Sequence, residues 1–118
     1  MAQARIAAVN LECTDPLALA TFWARLLDGK IMVETPEYCA VQVGDLFLGA
    51  AQVVDYRPPT WPSAARSQQL HLDLAVDDLD AAEHAAIELG ATKLHHQARP
   101  ESFRVLRDPA GHPFCLRS

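Results

Sequence analysis

Paired cysteines, basic clusters and long apolar runs are all missing from this chain, and each absence removes a class of protein. The three cysteines, Cys13, Cys39 and Cys115, are odd in number and show no CxxC spacing. A disulfide framework and a structural zinc site are thereby disfavoured, and a reducing compartment is the expected setting. The 10 Lys and Arg residues are scattered singly from Arg5 to Arg117 against 15 Asp and Glu, giving a formal net charge of -5. That balance supplies no electrostatic footprint for nucleic acid and no basic amphipathic stretch for a membrane surface. No apolar run approaches the roughly 20 residues that span a bilayer. The segment before the first strand lacks the apolar block of a secretory signal. The expected location is the cytoplasm, and the expected partner is a small molecule.

What is present is a globular composition. The chain has 118 residues, half of them apolar. That length fits one domain, residues 1–118, able to bury a core without disulfides or metal.

Hydrophobic periodicity divides this domain into two similar halves. From Ile6 to Cys13, the residues Ala7, Val9, Leu11 and Cys13 alternate with Ala8, Asn10 and Glu12, the pattern of a half-buried strand. Thr14-Asp15-Pro16 then reads as a helix start, since Thr14 or Asp15 can cap and Pro16 suits the first turn. Leu19, Phe22, Trp23 and Leu26 form the apolar stripe, and Gly29 supplies a stop. Strands are predicted at Lys30–Glu34, Tyr38–Val43 and Leu46–Val53, with a hairpin turn at Gly44-Asp45. This first module covers about residues 4–54.

Residues 55–67 interrupt the pattern. The run Arg57-Pro58-Pro59-Thr60-Trp61-Pro62 removes too many backbone donors for a central strand or a helix, so it reads as a connector. The second module, about residues 68–118, repeats the order of the first. It opens with an alternating strand from Gln69 to Val76. Asp77-Asp78 caps a helix bearing Leu79, Ala82, Ala86 and Leu89, and Gly90 ends it. Strands are predicted at Thr92–His96, Phe103–Arg107 and Pro113–Arg117, with a turn at Asp108-Pro109-Ala110-Gly111. An offset of 63 places Val9 on Leu72, Leu11 on Leu74, Asp15 on Asp78 and Leu26 on Leu89. The fold class is therefore α+β, with two β-α-β-β-β modules.

With these residues in view, the chain resembles the vicinal oxygen chelate superfamily, the glyoxalase and bleomycin-resistance group. The most specific pieces are Gln69-Leu-His-Leu-Asp-Leu-Ala-Val-Asp-Asp-Leu-Asp80 and Arg107-Asp-Pro-Ala-Gly-His-Pro-Phe-Cys-Leu116, with Thr14-Asp-Pro and Phe22-Trp23 also matching. The resemblance implies mixed sheets curling around a central cavity, and a homodimer. It also implies a divalent metal held by side chains on the first and last strands of each module. Those positions fall on Ala8, His71, Cys115 and, through the 63-residue offset, Gln52 (Ala51 with a one-residue shift). A methyl, an imidazole, a thiol and an amide do not make an oxygen-rich site for Mg, Mn or catalytic Fe. No metal and no cofactor are therefore expected.

Seven residues stand out as candidate ligand contacts. Gln69, His71 and Asp73 share one strand face by period 2, and a carboxylate beside an imidazole is an arrangement used by general bases. The same pair serves equally as a hydrogen-bonded cavity wall without chemistry. Asn10 holds the corresponding place in the first module, next to Glu12, which reads as solvated. Gln52 and Cys115 join them from the last strands. Cys115 is a nucleophile only if a positive neighbour lowers its pKa, and otherwise an inert thiol. Trp61, on a stiff loop, reads either as a stacking wall or as a packing residue. His95 and His96 are expected on opposite faces of a strand, and His84 and His112 in structural or exposed places. These residues point first to a glyoxalase-like small-molecule binding protein without the usual metal site. The alternative is an enzyme of lyase, isomerase or dioxygenase type using His71 and Asp73 as acid and base, or as a metal site. A module that binds only a protein partner is the third reading.

Overall fold

The start of each helix is fixed by one aspartate used the same way twice. In the computed structural model, which describes residues 2–118, Asp15 and Asp78 both hold extended backbone and accept from the amide three residues on, Ala18 and Ala81, at 3.1 Å each. Such a cap satisfies one of the donors left over at a helix N-terminus and is worth about 1 kcal/mol. The helices are α1, Pro16–Leu27, and α2, Leu79–Glu88. The left-handed residue closing α1 is Asp28, at φ 53°, one position before the expected Gly29. Gly29 matters for another reason. A Cβ there would meet Val41 Cγ1 at 2.7 Å and the Gln42 carbonyl at 2.8 Å, so the helix end passes the sheet at glycine distance.

Around α1 the chain forms β1, Ala8–Cys13; β2, Lys30–Glu34; β3, Tyr38–Val43; and β4, Leu46–Gln52. Their sheet order is β1-β4-β3-β2, with β1 parallel to β4 and the other pairs antiparallel. Around α2 it forms β5, Leu72–Ala75; β6, Thr92–Lys93; β7, Phe103–Arg107; and β8, Pro113–Arg117. Here the order is β5-β8-β7-β6, again with the first strand parallel to the last. These are two mixed four-stranded sheets, each with one helix, and neither closes into a barrel. The two β-α-β-β-β modules read from the sequence are present.

The chain divides into two compact units, one ending at Tyr56 and the other running Arg57–Ser118. In the first unit α1 packs on β2, β3 and β4 and buries Leu19, Phe22 and Trp23. The Phe22 and Trp23 rings meet edge to face, 5.1 Å apart and at 85°. In the second unit α2 packs on β7 and β8, over buried Leu106, Phe114 and Leu116. Each large side chain so enclosed contributes about 1.5–3 kcal/mol. The connector folds with the second unit. Thr60 and Arg66 exchange backbone and hydroxyl hydrogen bonds, and the Arg66 guanidinium donates to the Pro58 carbonyl at 2.7 Å. Pro58 packs against Gly111, which sits at φ 91°.

Two strands fall well short of the expected ranges, while β1 and β4 lose only one or two end residues. The strand read from Gln69 begins only at Leu72, because Gln69 is left-handed at φ 57° and Leu70 is 83% exposed. The strand read over Thr92–His96 stops at Lys93. The Gln97 side chain takes over the next pairing: its amide donates to the Leu94 and Val105 carbonyls at 2.8 and 2.9 Å, and its oxygen accepts from Val105 N–H at 2.9 Å. His95 and His96 are both exposed and lie in no strand.

Candidate functional site

On the sheet face of the second unit opposite α2, adjacent parallel strands bring three reactive side chains together. Asp73 of β5 pairs in register with Cys115 of β8. His71 stands two residues before Asp73 and therefore on the same face. Its Nε2 lies 3.1 Å from Asp73 Oδ1. One donor atom from each of His71, Asp73 and Cys115 falls within 4.8 Å of the other two. Arg117, two residues beyond Cys115, places a guanidinium nitrogen 3.6 Å from Asp73 Oδ2. The carboxylate is thus bracketed by an imidazole, a thiol and a guanidinium.

These residues line one cavity of about 390 Å³, together with Ser102, Phe103 and Ser118. Phe103 is brought there by the β7–β8 hairpin, in which it pairs with Arg117. Burial pushes the Cys115 thiol up to about 11. The Asp73 carboxylate reinforces the rise by repelling a thiolate and accepting the thiol hydrogen bond, and Arg117 opposes it. The site therefore holds a protonated sulfur and not a ready nucleophile.

Pairing registers locate the first unit's counterparts better than a constant offset does. Asn10 pairs with Gly49 as Asp73 pairs with Cys115, so Gly49, and not Gln52, is the equivalent of Cys115. The same logic sets Ala51 against Arg117, Tyr38 against Phe103 and Ala8 against His71. Gln52 pairs with buried Cys13, on the helix side of the sheet, and its amide donates to the Thr14 carbonyl at 3.4 Å. Of these counterpart positions, Asn10 and Tyr38 carry polar groups, with the tyrosine hydroxyl donating to Asn10 Oδ1 at 2.8 Å. They lie across Gly49, where a Cβ would strike both.

Sequence reading named His71, Asp73, Cys115 and Asn10 and placed Gln69, His71 and Asp73 on one strand face; the structure brings His71, Asp73 and Cys115 together. Gln69 holds left-handed backbone ahead of β5, and the carbonyl of half-buried Trp61 accepts from Arg107 at 2.7 Å. Arg117, Phe103 and Tyr38 were passed over. Alternation back and forward from Cys115 would have found Arg117, and the hairpin at Asp108–Gly111 would have found Phe103.

The superfamily's metal positions, transferred to this chain, do not fit a hard, oxygen-seeking ion. Ala8 and Gly49 carry no donor, and the remaining set contains a thiol.

A glyoxalase-like domain family model matches residues 8–117. Curated proteins give no match. Among solved structures, a glyoxalase/bleomycin resistance protein/dioxygenase family enzyme from Burkholderia phytofirmans PsJN superposes with a TM-score of 0.71 at 17% identity, covering 96% of this chain and 97% of that one. A fosfomycin resistance protein from Mesorhizobium loti gives 0.72 at 15% identity, covering 99% and 92%. A possible glyoxalase from Bacillus cereus gives 0.73 at 12% identity, covering 99% and 100%. At these identities the structures establish the fold, and the family model establishes membership: the chain belongs to the glyoxalase-like domain family.

Proposed function

We propose that the protein binds a small polar organic molecule in the cavity of the second unit, without the oxygen-rich metal site of its superfamily. The observation that carries this reading is the convergence of His71, Asp73, Cys115 and Arg117 on one face of β5 and β8, beside the Phe103 ring. A few converging polar groups against apolar walls are the usual make-up of a small-molecule pocket. The cavity, at about 390 Å³, lies in the size range of such sites. Its charges nearly balance, which favours a neutral or zwitterionic ligand: Asp73 accepts from it, Arg117 and His71 donate to it.

The rival reading is acid–base catalysis by His71 and Asp73, and the 3.1 Å contact between them favours it. A carboxylate on one imidazole nitrogen fixes the tautomer and leaves the other nitrogen to take a proton. Binding and catalysis would use the same wall of the same cavity.

Thermal-shift screening of the full chain, in chelator, against neutral and zwitterionic metabolites tests the binding reading. A hit should stabilise the wild type and lose its effect in His71→Ala and Phe103→Ala. The His71→Ala protein should melt close to wild type, because a half-exposed imidazole supports little of the core. A His71→Ala protein that binds every hit normally would sink the reading. Turnover of the hit that disappears in His71→Ala would move the assignment to the enzyme.

A further inference from the structure

We propose that the cavity of the second unit takes an α-amino acid with an apolar side chain: Asp73 accepts from its ammonium, Arg117 donates to its carboxylate, and the Phe103 ring packs on its side chain. This rests on the binding reading above and narrows it to one chemical class. Opposite charges stand side by side on the cavity wall. Asp73 of β5 pairs with Cys115 of β8, and Arg117 follows two residues later on the same face. A guanidinium nitrogen lies 3.6 Å from Asp73 Oδ2. That exceeds the roughly 2.7–2.9 Å of a charge-assisted hydrogen bond. Both side chains also meet water, at 64% and 42% exposure. An exposed pair of this kind contributes little stability, so a ligand can open it at small cost.

The spacing of these charges selects the ligand. An α-amino acid carries its ammonium and carboxylate on one carbon, so its charges are as close together as those of the wall. Set against them, the ammonium donates to Asp73 Oδ2 in place of the guanidinium, while His71 keeps Oδ1 at 3.1 Å. Arg117, released, presents its planar fork to the ligand carboxylate. A zwitterion with widely separated charges would match one of the two groups and leave the other. Cys115 adds no third charge, because its thiol keeps its proton at neutral pH. Phe103 pairs with Arg117 across the β7–β8 hairpin, so its ring flanks the guanidinium on the same face. A side chain leaving the same ligand carbon as the two charges reaches that ring, and an aromatic or branched aliphatic group gains by burial there.

Calorimetric titration of the full chain, in chelator, with L-phenylalanine and three truncated analogues tests the assignment, with equilibrium dialysis as a second readout. Phenethylamine lacks the carboxylate, 3-phenylpropanoate lacks the ammonium, and glycine lacks the side chain. L-phenylalanine should bind at one equivalent, and each analogue should bind about tenfold or more weakly, the loss expected for a charge-assisted hydrogen bond or a buried side chain. Arg117→Gln should erase the preference over phenethylamine, and Asp73→Asn the preference over 3-phenylpropanoate. Circular dichroism should stay native in both, because the replaced groups face water. No saturable binding of L-phenylalanine up to millimolar concentration would overturn the proposal. So would an analogue that binds as tightly, or a preference that survives in its matching variant. Metabolites that stabilise the wild type through His71 and Phe103, yet bind Arg117→Gln normally, would leave the binding reading standing and sink this one.

Discussion

Cys115 shows how one residue's surroundings decide its chemistry. Its thiol is pushed up to about 11 from an ordinary value of 9.0, with burial the largest cause and Asp73 the next. The raised value means the folded chain keeps the proton where the unfolded chain loses it. Stability drawn from the neutral thiol is whole below about pH 9 and is lost as pH climbs toward about 11. Reactivity follows the same curve, because the thiolate is the nucleophile. In chelator, iodoacetamide should label Cys115 slowly at neutral pH, with the rate rising about tenfold per pH unit until the thiol titrates. Asp73→Asn removes the repulsion and should speed labelling at pH 8. Arg117→Ala removes the opposing charge and should slow it. Peptide mass analysis separates this site from Cys13 and Cys39, which are 1% and 0% exposed. Faster labelling in Arg117→Ala than in Asp73→Asn would mean that the charges around the sulfur act in the reverse sense.

At the scale of elements, what could be read from the sequence was what repeats along one chain segment. Both helices were legible because a capping Asp, a 3.6-residue stripe and a terminal turn are local signals. The central strands β3, β4, β7 and β8 were legible for the same reason, within a residue at each end. The edge strand β6 was not, because a side chain replaces its backbone. Gln97 presents an amide to Val105 much as another strand residue would, and no hydrophobic pattern announces that. Its importance is testable. Gln97→Ala leaves the Val105 N–H without its acceptor in a part-buried setting, which costs about 1–3 kcal/mol. The urea midpoint should fall with the slope of the transition unchanged. An unaltered midpoint would mean that water replaces the amide freely and that β6 ends for another reason.

For the whole molecule, the repeat was legible as order but not as register. A constant offset of 63 carries Asn10 to Asp73 and Asp15 to Asp78, yet Gly49 reaches Cys115 only with an offset of 66. Extra residues between the helix and the last strand of the second unit shift the count, and only strand pairing reveals it. That shift is why Gln52 was named for a site it does not face. Pairing also leaves sheet edges to be covered. In the first sheet β2 is an outer strand, with a bulge between Ile31 and Val33 and with Met32 50% and Val33 42% exposed. The bulge blunts direct strand addition, but the apolar side chains remain in water. Within its own unit α1 does not cover them, since it lies on the buried face with Leu19 and Trp23. A second copy of the chain is the occupant expected there, and light scattering at micromolar concentration should return about twice 12.9 kDa. Met32→Lys should shift the population toward 12.9 kDa, because a charge on an apolar edge opposes burial and costs little in the monomer. A wild-type chain that scatters as 12.9 kDa would show that this edge stays exposed, and a Met32→Lys protein that remains double that mass would put the dimer contact on another surface.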